Sequence, residues 1–318
     1  MSVNGTTHSY LIAPNPDGGR LTRSVTGTDQ NGAQIDLNVV EERPLTIYLN
    51  AQEIVTAMTI GDYPEYLALG FLRNQGMLQN GEDILRVDYD EELETVVVRT
   101  SSKTTFEDKL AKKTRTSGCA VGTVFGDMME GLEGVKLPAT PVRTSDLYAL
   151  AAQINTTPSL YLSAGAIHGT VLCQGNRPLV YMEDVGRHNA VDKIAGWMLS
   201  EGVSAEDKIL YTTGRLTSEM VIKCAQMGIP VLASRSGFTA WGVEIDTEFD
   251  EEDGEEAPEA ESRDDFMMCF VGPTPAAILQ VQRDMLVQDV VHLMERHFEA
   301  SELEPVVLAI DQLFTNRF

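Results

Sequence analysis

EDVGRHNAVDKIAGW, residues 183–197, decides how the rest of the chain is read. A Gly-Arg-His-Asn cluster stands between an acidic pair and an apolar run. Val180, Tyr181 and Met182 just before it read as the end of a strand. Ala190, Val191, Ile194 and Met198 recur at helical spacing, which predicts a helix starting near Asn189. The polar cluster therefore falls at a strand-to-helix junction, where backbone N–H groups and the positive helix end are available to an anion. The residues by themselves leave a second reading open. In that reading Asp184 or Asn189 caps the helix, and Arg187 pairs with a neighbouring acid.

Working outward, apolar runs and helical periodicities alternate. Strands are predicted at 166–173, 179–182, 209–213 and 231–234, and helices at 190–200, 218–227 and 239–245. A helix over 145–153, capped by Ser145, precedes them. This rhythm predicts an α/β fold, a layered sheet with partly parallel strands. Ligand crevices lie at the carboxyl ends of such strands, where the clusters at 183–189, 213–219 and 234–239 fall.

Upstream, 1–35 reads as a loose leader with one short strand near 35–39. Strands at 44–49 and 54–60, a helix over 64–74 and a hairpin from 84–89 and 94–100 make a smaller α/β unit over 36–140. A helix over 105–113 leads it into a loop holding Cys119. The larger domain spans 141–275. Its segment 246–265 carries twelve acids and one Arg, a local charge of −11, and reads as a solvated insertion. Residues 266–271 form the last predicted core strand. Thr274 then caps and Pro275 opens a helix lined by Leu279, Leu286, Val290 and Leu293. A capping box at 301–304 starts a second, so 276–318 reads as a helical extension.

The chain has 318 residues, 43% of them apolar, enough for one large domain or two smaller ones. No apolar run approaches about 18 residues, so no membrane-spanning helix is expected. The first residues lack the basic start and apolar centre of a secretory signal, and a cytoplasmic location is expected. A net charge of −24 excludes nucleic acid and anionic membrane surfaces as natural partners. None of Cys119, Cys173, Cys224 and Cys269 forms a CxxC pair, so no zinc site is expected. Cys173 and Cys224 lie in apolar patterns and read as inert core thiols. A hydrolase or deaminase built on Asp184, His188 and Ser218 is the least supported reading. The chain lacks both a Gly-x-Ser-x-Gly elbow and the Pro-Cys-x-x-Cys of zinc deaminases.

Cys119 stands in RTSGCAVGT, residues 115–123, between Gly118 and Gly122. Lys109, Lys112, Lys113 and Arg115 precede it, a basic cluster in an acidic protein. Nearby cations favour thiolate over thiol and raise its nucleophilicity. Attack on a persulfide donor would place a terminal sulfur on Cys119. The plain alternative is an ordinary loop cysteine beside a solvated basic helix.

Five motifs occur in order: ERPLTIYLN at 42–50 with YLALGF at 66–71, SAGAIH at 163–168, the 183–197 stretch, TGRLTSEM at 213–220 and SRSGFTA at 234–240. Together they resemble the FdhD family, the formate dehydrogenase accessory sulfurtransferases. The resemblance implies a cytidine-deaminase-like domain beside a smaller amino-terminal one, and a homodimer. It implies a sulfur carrier that takes persulfide sulfur from a cysteine desulfurase on Cys119. The sulfur would go to the molybdenum cofactor, as bis-molybdopterin guanine dinucleotide, for a formate dehydrogenase catalytic subunit. That ligand's pyrophosphates and guanines call for N–H donors, cations and a flat pocket. The residues expected to hold it are His168, Arg187, His188, Asn189, Arg215, Arg235 and Phe238. The turn after the family's final strand corresponds to Phe270, Val271, Gly272, Pro273, Thr274 and Pro275. Asp184, Asp192 and Glu219 are expected to orient cations. The family's loop carries two cysteines; here the second position is Gly122, which rules out a disulfide within the loop. A cofactor chaperone that moves no sulfur is the runner-up reading.

Overall fold

The computed structural model describes residues 10–78, 84–101, 137–138, 140, 142–239, 267–271 and 278–281. The predicted helix at 105–113, all but the first residue of that predicted at 239–245, the Cys119 loop, the acidic segment and everything after 281 lie outside them.

The first strand stands where a loose leader is expected, and the second is the short strand expected near 35–39. β1 (Thr22–Thr28) and β2 (Gln34–Val40) form an antiparallel two-stranded ribbon. Asp29 closes it: one carboxylate oxygen accepts from the N–H groups of Asn31 and Ala33, both at 2.9 Å, and Gly32 takes φ 81°. Such an Asx turn gives the backbone the reversal that a hairpin needs. Those backbone donors, Ala33 first, hold the Asp29 carboxyl below its usual range.

β3 (Arg43–Leu49), β4 (Gln52–Thr59), β5 (Ile84–Asp90) and β6 (Thr95–Thr100) form a four-stranded sheet in the order β4-β3-β6-β5. Leu45, Ile47 and Leu49 are buried at alternate positions of β3, the period-two pattern of a strand with one covered face. Helix α1 (Pro64–Asn74) supplies the cover with Leu67, Phe71 and Leu72, as its periodicity predicts.

The main sheet contains β7 (His168–Gln174), β8 (Arg177–Asp184), β9 (Lys208–Thr212), β10 (Val231–Ser234), β11 (Met267–Val271) and β12 (Ile278–Val281). Their order is β12-β11-β10-β9-β7-β8; β9, β10 and β11 run parallel, and the other pairings are antiparallel. Helix α2 (Thr144–Thr156) covers one face, on Val171, Cys173, Tyr181, Ile209 and Tyr211. The short α3 (Leu160–Ser163) follows it. Helices α4 (Arg187–Glu201) and α5 (Ser218–Gln226) cover the other face, on Leu172, Val180, Met182, Leu210 and Leu232. The result is three layers with strands apolar on both faces.

Three expectations are corrected here. Arg143, not Ser145, is the cap residue of α2, and Ser145 lies in its first turn. Helix α4 begins at Arg187, which draws Arg187, His188 and Asn189 into its first turn. Residues 278–281, read as helix around Leu279, form strand β12 against β11. The open edge of β11 offers unpaired N–H and C=O groups, and Ile-Leu-Gln-Val suits a strand. At the opposite edge the leader covers β8: Leu11 N–H donates to Leu179 O (2.7 Å) and Tyr181 N–H to Ile12 O (3.0 Å).

Helix α4 is buried on nearly every side, because α1 crosses its outer face at backbone contact. A Cβ on Gly70 would lie 1.7 Å from Asp192 O, and one on Gly196 would lie 1.9 Å from Tyr66 O. Two glycines, one per helix, permit the approach.

Candidate functional site at the carboxyl edge of the main sheet

Strand direction assembles the site. The ends of β8, β9, β10 and β11 and the start of the antiparallel β7 share one edge of the sheet. Residue parity sorts the edge residues by face. His168, Asp184, Thr212 and Ser234 fall in register with Leu172, Met182, Leu210 and Leu232, on the α4 and α5 side. Glu183 and Arg235 fall on the α2 side.

Asp184 is the hub of the strand-to-helix junction. Its Oδ1 accepts from Gly186 N–H (3.3 Å) and Asn189 Nδ2 (3.0 Å). Its Oδ2 accepts from Thr59 Oγ1 (2.5 Å) and lies 2.6 Å from Lys193 Nζ. Lys193, wholly buried, also bonds Glu183 O (2.8 Å) and Asp62. Burial opposes its charge, but Asp184 and Asp62 outweigh it and hold the ammonium above its usual range. Asp184 thus pins the turn instead of capping the helix. The cap residue is Gly186, which has no side chain to accept from the first-turn N–H groups. Those donors and the positive helix end face the sheet edge.

Arg187 and His188 are both buried there. The His188 Nε2 lies 3.0 Å from Glu219 Oε2, on α5. Burial, with Lys223 and Arg187 adding to it, holds His188 below its usual range despite Glu219. His168 is also lowered, first by burial and then by the charges of Arg187, His188 and Arg215. His168 is therefore within electrostatic reach of the other three, and the two arginines bring positive charge to this part of a chain of net charge −24. Gly214 abuts the Arg187 stem; a Cβ there would meet Arg187 Cβ and Cδ at 3.1 Å. Arg215, next along, is exposed.

The loops after β9 and β10 are laced into one rim. Ser234 Oγ donates to Gly214 O (2.7 Å), Ser236 Oγ to Thr213 O (2.6 Å) and Leu216 N–H to Gly237 O (2.9 Å).

A sequence profile of the FdhD/NarQ family matches residues 40–250, about two thirds of the chain. The chain belongs to the FdhD/NarQ family. Among its FdhD relatives, the sulfur carrier protein FdhD of Listeria monocytogenes serotype 4b (strain F2365) is 31% identical over 230 residues, 71% of this chain and 87% of that protein. The sulfur carrier protein FdhD of Bacillus subtilis (strain 168) is 29% identical over 216 residues, 67% and 82% of the two chains. A crystal structure of a protein assigned as a formate dehydrogenase accessory protein from Desulfotalea psychrophila matches with a TM-score of 0.62 at 26% identity, over 83% of this chain and 96% of that one. A profile of a family of unknown function (DUF6806) matches residues 225–315.

For this FdhD/NarQ chain, the fold groups His168 with Arg187, His188 and Arg215 and gives the other candidates different neighbours. The Asn189 amide donates to Met58 O (2.8 Å) and to Asp184, so it ties α4 to β4. Arg235 lies on the α2 side, 5.5 Å over the Tyr161 ring and 3.3 Å from Asn155 Oδ1. Phe238 packs half-buried on the main core. Phe270 and Val271 end β11 at the same edge. Cys119, Gly272, Pro273, Thr274 and Pro275 lie outside the described residues. The orienting acids stand behind the cations: Asp192 binds Lys223 (2.7 Å) and Asn74 (2.8 Å), Asp184 binds Lys193, and Glu219 meets His188.

Sequence reasoning missed Lys193, Lys223, Asp62 and Thr59. A signal existed for the lysines: each stands within an apolar helical run, where a charge needs a buried partner. Asp62 and Thr59 carry no such signal, since they reach the site only through tertiary packing. Cys173 and Cys224 are buried core thiols, pushed far up by burial.

Proposed function

We propose that this chain is a sulfur carrier for formate dehydrogenase maturation. It takes sulfur from a cysteine desulfurase on Cys119 and serves bound bis-molybdopterin guanine dinucleotide. The observation that carries the reading is Arg187 and Arg215 grouped with the neutral imidazoles of His168 and His188, beside a helix start that has no side-chain cap, at the sheet edge. A pyrophosphate asks for that chemistry: N–H donors, fixed positive charge and little bulk. The relatives named sulfur carrier protein FdhD and the formate dehydrogenase accessory structure support the same role. We read the three-layer domain as cytidine-deaminase-like and the active species as a cytoplasmic homodimer.

In the transfer step the Cys119 thiolate attacks the terminal sulfur of the desulfurase persulfide. The donor S–S bond breaks as a new S–S bond forms on Cys119, and the electron pair leaves on the desulfurase thiolate. No external oxidant or reductant is needed. Lys109, Lys112, Lys113 and Arg115 favour the attacking thiolate. Arg187 and Arg215 hold phosphate, and the first-turn N–H groups of α4 add neutral donors.

The test is Cys119→Ala, with mass spectrometry after incubation with a cysteine desulfurase and cysteine. The wild-type chain gains the mass of one sulfur atom and the variant does not. Client formate dehydrogenase made with the variant carries unsulfurated cofactor and is inactive. Full client activity with the variant would overturn the carrier. Gly122 in the second cysteine position favours a second reading, a cofactor chaperone that moves no sulfur. It predicts no sulfur adduct on the wild-type chain and cofactor binding that Cys119→Ala leaves intact.

A further inference from the structure

His188 has a nitrogen that the arrangement around it does not use. Its side chain is 7% exposed and that of Glu219 5%, and Nε2 stands 3.0 Å from the carboxylate. That contact is at ion-pair distance but outside hydrogen-bond geometry; the negative charge beside Nε2 still favours the tautomer with the proton there. The Nδ1 then presents a lone pair. It is buried and, like Nε2, has no partner in hydrogen-bond geometry among the described residues. We propose that binding of a nucleoside diphosphate at this edge takes up one proton, carried by His188 Nδ1 against a phosphate oxygen. The inference rests on the reading of the edge as a pyrophosphate site.

The argument is one of valence. A phosphate oxygen can contact Nδ1 only across an N–H. With a proton already on Nε2, beside the charge of Glu219, a proton on Nδ1 makes the ring an imidazolium. The groups that face it set the energy of that state. Arg187 on its own helix, Lys223 on α5 and His168 on β7 oppose a further positive charge; Glu219 on α5 favours it. Lys223 is already matched by Asp192 at 2.7 Å. Burial and the remaining cations keep the ring neutral until an anion offsets them. His188 thus gives the site a donor that forms on demand, beside the carboxylate of Glu219.

Guanosine diphosphate titrated calorimetrically at pH 8, in two buffers of different ionisation enthalpy, tests this. Its phosphates are then fully ionised, so they contribute no proton of their own. The wild-type chain should take up about one proton per nucleotide, and its Kd should rise as much as about tenfold per pH unit between pH 7 and 8. His188→Gln should abolish the uptake and flatten the slope. Glu219→Gln keeps the imidazole but removes its counter-charge, and should cut both the uptake and the affinity at pH 7; if His188→Gln does not fold, this variant decides. Tight binding without proton uptake, or uptake unchanged in either variant, would overturn the inference and leave the pyrophosphate reading standing. Absence of any nucleotide binding would remove both.

Discussion

At the scale of single residues, the buried lysines are matched by carboxylates, and the matching has energetic consequences. Lys193 serves two carboxylates and a backbone carbonyl with no exposure to solvent. Replacing it by Met leaves Asp184 and Asp62 without their cation, and breaking a buried pair in this way costs about 3–5 kcal/mol. Urea denaturation of Lys193→Met should show that loss. Lys193→Arg, which keeps the charge but not the fit, should recover part of it. Lys223 with Asp192 is the second such pair, and the same measurement on Lys223→Met should give a similar deficit. The carboxylates of Asp184 and Asp192 are therefore structural partners of Lys193 and Lys223, cations that the sequence reading did not name, while Glu219 meets His188.

At the scale of elements, the molecule turns on the crossing of α1 and α4. Each helix brings a glycine to the other's backbone, and Gly70 and Gly196 have no room for a methyl group. Either Gly→Ala substitution must push the helices apart. Overpacking of this kind costs about 3 kcal/mol or more, even though Ala is the better helix former by about 1 kcal/mol. Thermal unfolding of Gly70→Ala and Gly196→Ala should show lowered midpoints; an unchanged midpoint would mean that the helices do not meet as described. Because α4 carries Arg187 and His188 in its first turn, the same variants should also weaken nucleotide binding. An alanine at a solvent-facing position of α1 should do neither.

For the whole molecule, the linked titration of the edge histidines predicts how stability depends on pH. Both His168 and His188 are lowered from 6.5, chiefly by burial. Between the folded and the unfolded values the unfolded chain binds more protons, so stability rises with pH across that window and is fully present above about 6.5. It is lost as pH falls below 6.5 towards the folded values. Melting temperatures between pH 8 and 5 should fall over that range, and the double variant His168→Gln, His188→Gln should fall less steeply. Local periodicity in the sequence determined much of this protein. The strand and helix rhythm from 166 to 234, helix α1 at its observed bounds, the β5–β6 hairpin and the clustering of polar residues at strand ends all follow from spacings of two and of three to four. Such spacings record which face of an element is covered. Only the tertiary structure decided what covers it. Lys193 meets Asp62 across 131 residues of chain, and the leader seals β8. Strand β12 forms where helical spacing suggests a helix, and Arg235 turns to the α2 side while Arg187 stays with His168. These outcomes depend on strand direction, parity and the close approach of two helices. Those properties belong to the assembled sheet, and no short stretch of sequence carries them.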